Sequence, residues 1–270
     1  MKRLRWISGP LLLVLFALPT LSSMSAGAEV RSSFADRADL APGTVRSGSE
    51  FLTESTRKLQ EDSFANPGLL WVDRGQELFE ANTGNASCRS CHEGSLAGVF
   101  ARYPAYDAQL GKLLNIEGRI NRCRTTQQGL PPLDYESEAL LSLTAYVASL
   151  ARGMSYQVSI DGPARAHFDR GRNYFFERRG QMNLACSQCH DDNWGRMLRG
   201  DRISQGHGNA YPGYRMEWQS LGSLHRRIQD CDTGVKAAPH ELGSTTYVGL
   251  ELYLAWRAAD LTLESPGVRR

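Results

Sequence analysis

The sequence predicts a mostly α-helical protein built as two tandem copies of one small domain. Three observations carry this. Apolar residues recur at helical spacing in stretches that close each half. The order helix, C-x-x-C-H, loop, R-I-x-x-C, helix occurs twice, and an internal duplication is the simplest account. Four of the six cysteines fall in the two C-x-x-C-H motifs, which leaves one further cysteine in each copy.

Residues 1–28 read as a removable export signal. Lys2, Arg3 and Arg5 are basic, and Leu11 to Leu21 is apolar except for Pro19 and Thr20. That run is too short to span a bilayer, and Ala26-Gly27-Ala28 is a small-residue cleavage site. The mature chain is expected to begin near Glu29, in the periplasm and without a transmembrane anchor. The formal net charge is +2. Losing the signal leaves about −1, which gives no reason to expect a nucleic-acid partner.

Residues 29–49 lack periodicity and read as a mobile or loosely docked arm. The first domain is expected over 50–155. Phe51 to Asp62 and Trp71 to Ala81 read as helices, with the turn Asn66-Pro67-Gly68 between them. Cys88-Arg89-Ser90-Cys91-His92 follows. A long irregular stretch with Gly94, Gly98, Pro104 and Gly111 leads to Arg119-Ile120-Asn121-Arg122-Cys123. Tyr135 to Ala151 is a helix, with Leu140, Leu143, Thr144 and Val147 at helical spacing.

The pattern then restarts in a second domain over 156–270, after a short extended linker, Tyr156 to Ile160. Asp169-Arg170-Gly171 echoes Asp73-Arg74-Gly75. Cys186-Ser187-Gln188-Cys189-His190 is the second motif, and Arg227-Ile228-x-x-Cys231 echoes the R-I-x-x-C of the first copy. Thr246 to Ala258 is the closing helix.

C-x-x-C-H is specific because haem attachment uses all three residues. The two thiols add to the vinyl groups, and the histidine supplies an axial ligand. Two covalently bound c-type haems are therefore expected. Cys88 and Cys91 hold the first, with His92 on its iron. Cys186 and Cys189 hold the second, with His190 on its iron. The chain is thus read as two tandem cytochrome c-like domains. For the sixth iron ligand, Met154, Met182, Met197, Met216, His167, His207, His225 and His240 are available, but none recurs at matching places. Cys123 and Cys231 do recur, and they are assigned as axial ligands. The alternative is a Cys123–Cys231 disulfide joining the halves. A thiolate stabilises ferric iron and lowers the reduction potential, which is odd for a plain electron shuttle.

The chain resembles the SoxA family, the dihaem subunit of the SoxAX cytochrome of sulfur oxidation. The resemblance covers Asn66 to Gly75, both haem motifs and Arg119 to Cys123. It is closest in Tyr214 to Cys231, which ends Leu224-His225-Arg226-Arg227-Ile228-Gln229-Asp230-Cys231. It implies an L-cysteine S-thiosulfotransferase that works with the cytochrome SoxX. Thiosulfate is joined oxidatively to a cysteine of the SoxYZ carrier, and two electrons leave to haem. It further implies that Cys231 is the active-site cysteine, carrying a persulfide, and that Arg227 binds substrate. Arg226, His225 and Lys236 can add positive charge, although Arg226 and Lys236 read better as solvated surface charges or as partners of haem propionates. Spacing alone does not choose the catalytic half, because Arg119 precedes Cys123 as Arg227 precedes Cys231. The rival readings are a periplasmic dihaem electron-transfer cytochrome c, a dihaem peroxidase and a haem-bearing scaffold.

Overall fold

The computed structural model describes residues 45–270. The export signal and most of the arm lie outside the described residues. Helix α1 (Glu54–Glu61) is capped by the Thr53 hydroxyl, which accepts from the Thr56 amide. α2 (Leu69–Glu80) leads to α3 (Cys88–Cys91), a single turn capped by Ser87. A hairpin of β1 (Ala105–Asp107) and β2 (Lys112–Leu114) feeds α4 (Ile116–Thr126), and α5 (Glu138–Ser149) closes the first half.

The second half runs in the same order. α6 (Arg165–Phe176) leads to α7 (Cys186–His190), followed by the small hairpin β3 (Met197–Leu198) and β4 (Asp201–Arg202). β5 (Gly213–Arg215) and β6 (Ser220–Gly222) feed α8 (Leu224–Gly234), and α9 (Thr245–Arg257) closes it. β7 (Gly267–Arg269) then adds parallel to β5, giving the order β6-β5-β7. The four helices expected from periodicity form with ends shifted by a few residues. The stretch read as irregular contains the hairpin β1–β2. Three-residue strands are too short to show alternation. α4 escapes periodicity because Glu117, Arg119, Asn121 and Arg122 make it polar. Asn115 caps it by accepting from the Gly118 amide, and Ser223 caps α8 in the same way at Arg226.

The glycines of the repeated Asp-Arg-Gly lie where helices cross. A Cβ on Gly75 would be driven into the Ser142 carbonyl of α5, and one on Gly171 into the Gly249 carbonyl of α9. Without side chains at these points, α2 packs on α5 and α6 on α9 at backbone contact.

Each hairpin packs across to the other half. Leu113 of β2 joins the core that holds α9, including Tyr247, Leu250 and Leu254. Leu221 of β6, at the same hairpin position, packs on Leu141 and Ala145 of α5. Residues 156–160 are part of this core. Tyr156, Val158 and Ile160 are buried in alternation, and the Gln157 amide donates to the Ala101 carbonyl at 2.8 Å. The end of the arm is tied down as well. The Arg46 amide donates to Gln205 Oε1 at 2.7 Å, and the Ser47 and Ser49 hydroxyls bond Glu264. Among the described residues no helix is long and apolar enough to cross a membrane.

Candidate active site

All six thiols are free, and each leftover cysteine faces the motif of its own half. Cys123, on the last turns of α4, lies within electrostatic range of Cys88. Cys231, at the matching place on α8, lies within range of both Cys186 and Cys189. Cys123 and Cys231 are therefore not partners of each other. The methionines Met154, Met182 and Met197 are exposed. His225 is buried 3.0 Å from Glu251, and the His240 ring packs on Tyr174 and Tyr247.

The two motif histidines are held differently. His190 Nδ1–H donates to the Ser204 carbonyl at 2.7 Å, which fixes the tautomer and leaves the Nε2 lone pair available. Burial, chiefly, lowers its basicity; the Ser204 bond opposes that, and Arg227 and Arg257 reinforce it. Gly206 closes on the ring from the side, with φ +76°. His92 stacks on Phe79, with centroids 6.2 Å apart, and Arg89 lies over the other partner of that pair at 5.6 Å. Asp191, beside His190, is clamped by the buried Arg257 at 2.6 Å.

Behind Cys231, α8 is anchored by Asp232. Its carboxylate accepts from the Tyr174 and Tyr247 hydroxyls, each at 2.6 Å, and from Arg179 Nε at 3.1 Å. Arg179 also reaches Cys186 Sγ at 3.1 Å. This network spans α6, α8 and α9 and fixes where the cysteine sits. Sequence reasoning did not find Asp232, Arg179, Ser204, Gly206 or Arg257. None of them belongs to a motif, and only Gly206, as a glycine, carries a local signal.

The halves differ at the arginine that precedes each cysteine. Arg119 Nη1 is 3.3 Å from Asp107 Oδ2, and Arg122 Nε is 3.2 Å from the same oxygen. Asp107 is 12% exposed, so this is a sheltered, doubly paired carboxylate. Arg227 has no such partner. Its nearest carboxylate is Asp230 at 4.0 Å, 41% exposed. Cys231 is the largest influence holding the Arg227 guanidinium above its usual range. At the hairpin position that holds Asp107 in the first half, the second half has Arg215.

The donor set fits a covalently held haem. It offers paired thiols, an imidazole with Nε2 free, and a third sulfur facing the pair. A family model described as "SoxA/TsdA, cytochrome c domain" matches residues 74–156. A protein of Rhodovulum sulfidophilum named "L-cysteine S-thiosulfotransferase subunit SoxA" is 36% identical over 240 residues, covering 87% of this chain and 82% of its own. The chain belongs to the SoxA family. The SoxA protein of Paracoccus pantotrophus is 36% identical over 84% of this chain and 79% of its own. The solved "Crystal structure of SoxXA from P. pantotrophus" matches with TM-score 0.81 at 36% identity, covering 84% of this chain and 87% of that one. As a SoxA with a cytochrome c domain, the chain is a haem c protein of mostly helical, cytochrome c-like fold.

Proposed function

We infer that this chain is the SoxA subunit of an L-cysteine S-thiosulfotransferase, and that its reaction takes place at Cys231 in the second half. Two repeats, 50–155 and 156–270, would each hold one haem. His92 and Cys123 would serve the first iron, and His190 and Cys231 the second. The family names support the activity. The match to a SoxXA complex supports a SoxX partner. The reading extends to thiosulfate and a SoxYZ carrier as substrates, and to a periplasmic site of action after removal of residues 1–28.

The choice of half rests on one observation. Arg119 is committed to the sheltered Asp107, whereas Arg227 lies within range of Cys231 and its one ion-pair partner among the described residues is the exposed Asp230 at 4.0 Å. A free guanidinium can give two parallel hydrogen bonds to the oxygens of an oxyanion. Arg227 would thus orient thiosulfate with its outer sulfur toward Cys231. Overall, the carrier thiol and thiosulfate form one S–S bond, releasing one proton and two electrons. Haem, when bound, supplies the redox centre that takes up electrons. Cys231 supplies a sulfur that can carry the transferred group as a persulfide. The Asp232 network keeps that sulfur in place.

The test compares Cys231→Ala with Cys123→Ala in the haem-loaded complex. Thiosulfate-dependent turnover should be abolished by the first change and retained, at reduced rate, by the second. Equal activity of Cys231→Ala and wild type would sink the assignment. Mass spectrometry of the Cys231 peptide should show an added sulfur.

A further inference from the structure

The equivalence of the two hairpins can be read residue by residue. Asp107 pairs with Lys112 across the first, and Arg215 pairs with Ser220 across the second, each at the same end of an identical register. In the first half this hairpin position touches the α4 arginine directly. The second half has a base, Arg215, at the position where the first half has this acid, and Glu217, two residues on from Arg215, lies within electrostatic range of Arg227.

Arg215 is only 8% exposed, and its one ion-pair partner among the described residues is Glu217, at 2.9 Å. Its Nε is buried with no hydrogen-bond partner. Glu217 is 59% exposed. A buried guanidinium held by one solvated carboxylate is poorly compensated for its desolvation. Glu217 also feels Arg227, and Arg227 feels Glu217, so the carboxylate lies in the field of both arginines. Trp218 walls the group, 5.1 Å from the Arg215 guanidinium, and anchors its indole N–H on Asp230, beside Cys231, at 3.1 Å.

We propose that Arg215 is a second substrate-binding arginine, which holds the thiosulfate oxygens from the hairpin side while Arg227 holds them from the helix side, and that Glu217 is the carboxylate the dianion displaces. This rests on the reading of Cys231 and Arg227 given above. Glu217 then works as a placeholder. It keeps the two guanidiniums compensated between turnovers, and competition with it weakens substrate binding.

Steady-state kinetics of the haem-loaded SoxAX-type complex with its carrier, varying thiosulfate, test this. Arg215→Gln should raise KM for thiosulfate about tenfold or more while kcat stays within about threefold, because a hydrogen bond to a charged group is lost. Arg215→Lys should recover part of that loss. Glu217→Gln should lower KM several-fold. An unchanged KM in Arg215→Gln, or a fall in kcat alone, overturns the proposal while Arg227→Gln still raises KM. If neither arginine variant moves KM, the underlying placement of the site fails instead. If Arg215→Gln does not retain its haem spectrum, Glu217→Gln decides, and an unchanged KM there overturns the proposal.

Discussion

Replacing Gly206 with alanine isolates the seat of His190. The backbone at 206 has φ +76°, where an alanine costs about 1–2 kcal/mol relative to glycine. The new Cβ would also stand 2.8 Å from His190 Cγ and 3.0 Å from Nδ1. Carbon atoms in contact prefer about 3.5–4.0 Å, so the ring must give way by roughly 0.7 Å. The Nδ1–H bond to the Ser204 carbonyl is 2.7 Å, and a shift of that size along it leaves little hydrogen bond. Losing it adds about 1 kcal/mol. The total is about 2–3 kcal/mol, read from urea unfolding of the haem-loaded protein. On the reading that His190 serves the second iron, the ferric electron paramagnetic resonance spectrum of that haem should shift too, because the imidazole has rotated or moved. Gly195→Ala is the control. Its φ is +82°, but a Cβ there meets nothing within 4 Å. It should lose the strain energy and leave the spectrum alone. If both variants give wild-type spectra and equal stability losses, the close approach of Gly206 does not set the ring.

Other outcomes follow from buried groups and crossings. Glu117 is buried against Glu251 of α9 and Glu136 of the segment before α5, with His225 of α8 and the Tyr135 and Tyr156 hydroxyls around the same carboxylates. Burial, then Glu251, hold its carboxyl well above the usual 4.5. A raised acid binds its proton more tightly when folded, so its stabilising effect is full below that value and declines as pH rises through the folded pKa. Glu117→Gln keeps the shape and removes that decline, so the urea midpoint should change less between about pH 5 and about pH 8 than in wild type. Identical pH dependence would refute this. Gly171→Ala should cost about 1–3 kcal/mol by forcing α6 off α9, despite a gain of about 1 kcal/mol in helix propensity. A stability equal to wild type would mean the helices part without penalty.

Much of the architecture was legible because its signals are local. C-x-x-C-H is a contiguous motif, and α5 and α9 carry apolar stripes long enough to count. The glycines echoed at 75 and 171 were visible as a repeat, but only the crossings explain them. The hairpins and α4 were hidden by shortness and polarity. Their exchange between halves could not be read, since it depends on which face of Leu113 and Leu221 finds which helix. At the site, the R-I-x-x-C repeat is symmetric, so its spacing offered no choice of half, and only the resemblance of the run from Tyr214 to Cys231 pointed to the second. The distinguishing residues, Asp107 and Arg215, lie twelve positions upstream of their arginines on three-residue strands. That comparison was present in the sequence, but without the hairpin register nothing shows that those two positions correspond.

The ends of the described chain are joined. Asn66 donates to the Pro266 carbonyl, and Gln60 accepts from the Val268 amide and bonds Arg269. These bonds close separations of 200 to 209 residues. Gln60 and Asn66 therefore complete these particular bonds only once residues 266–269 are in place. Both C-x-x-C-H motifs lie inside the loop that these bonds close. Loss of only the last few residues would leave Gln60 and Asn66, both buried, without those bonds. Damage at residues 266–269 would thereby be felt at residues 60–66, far along the chain from either motif.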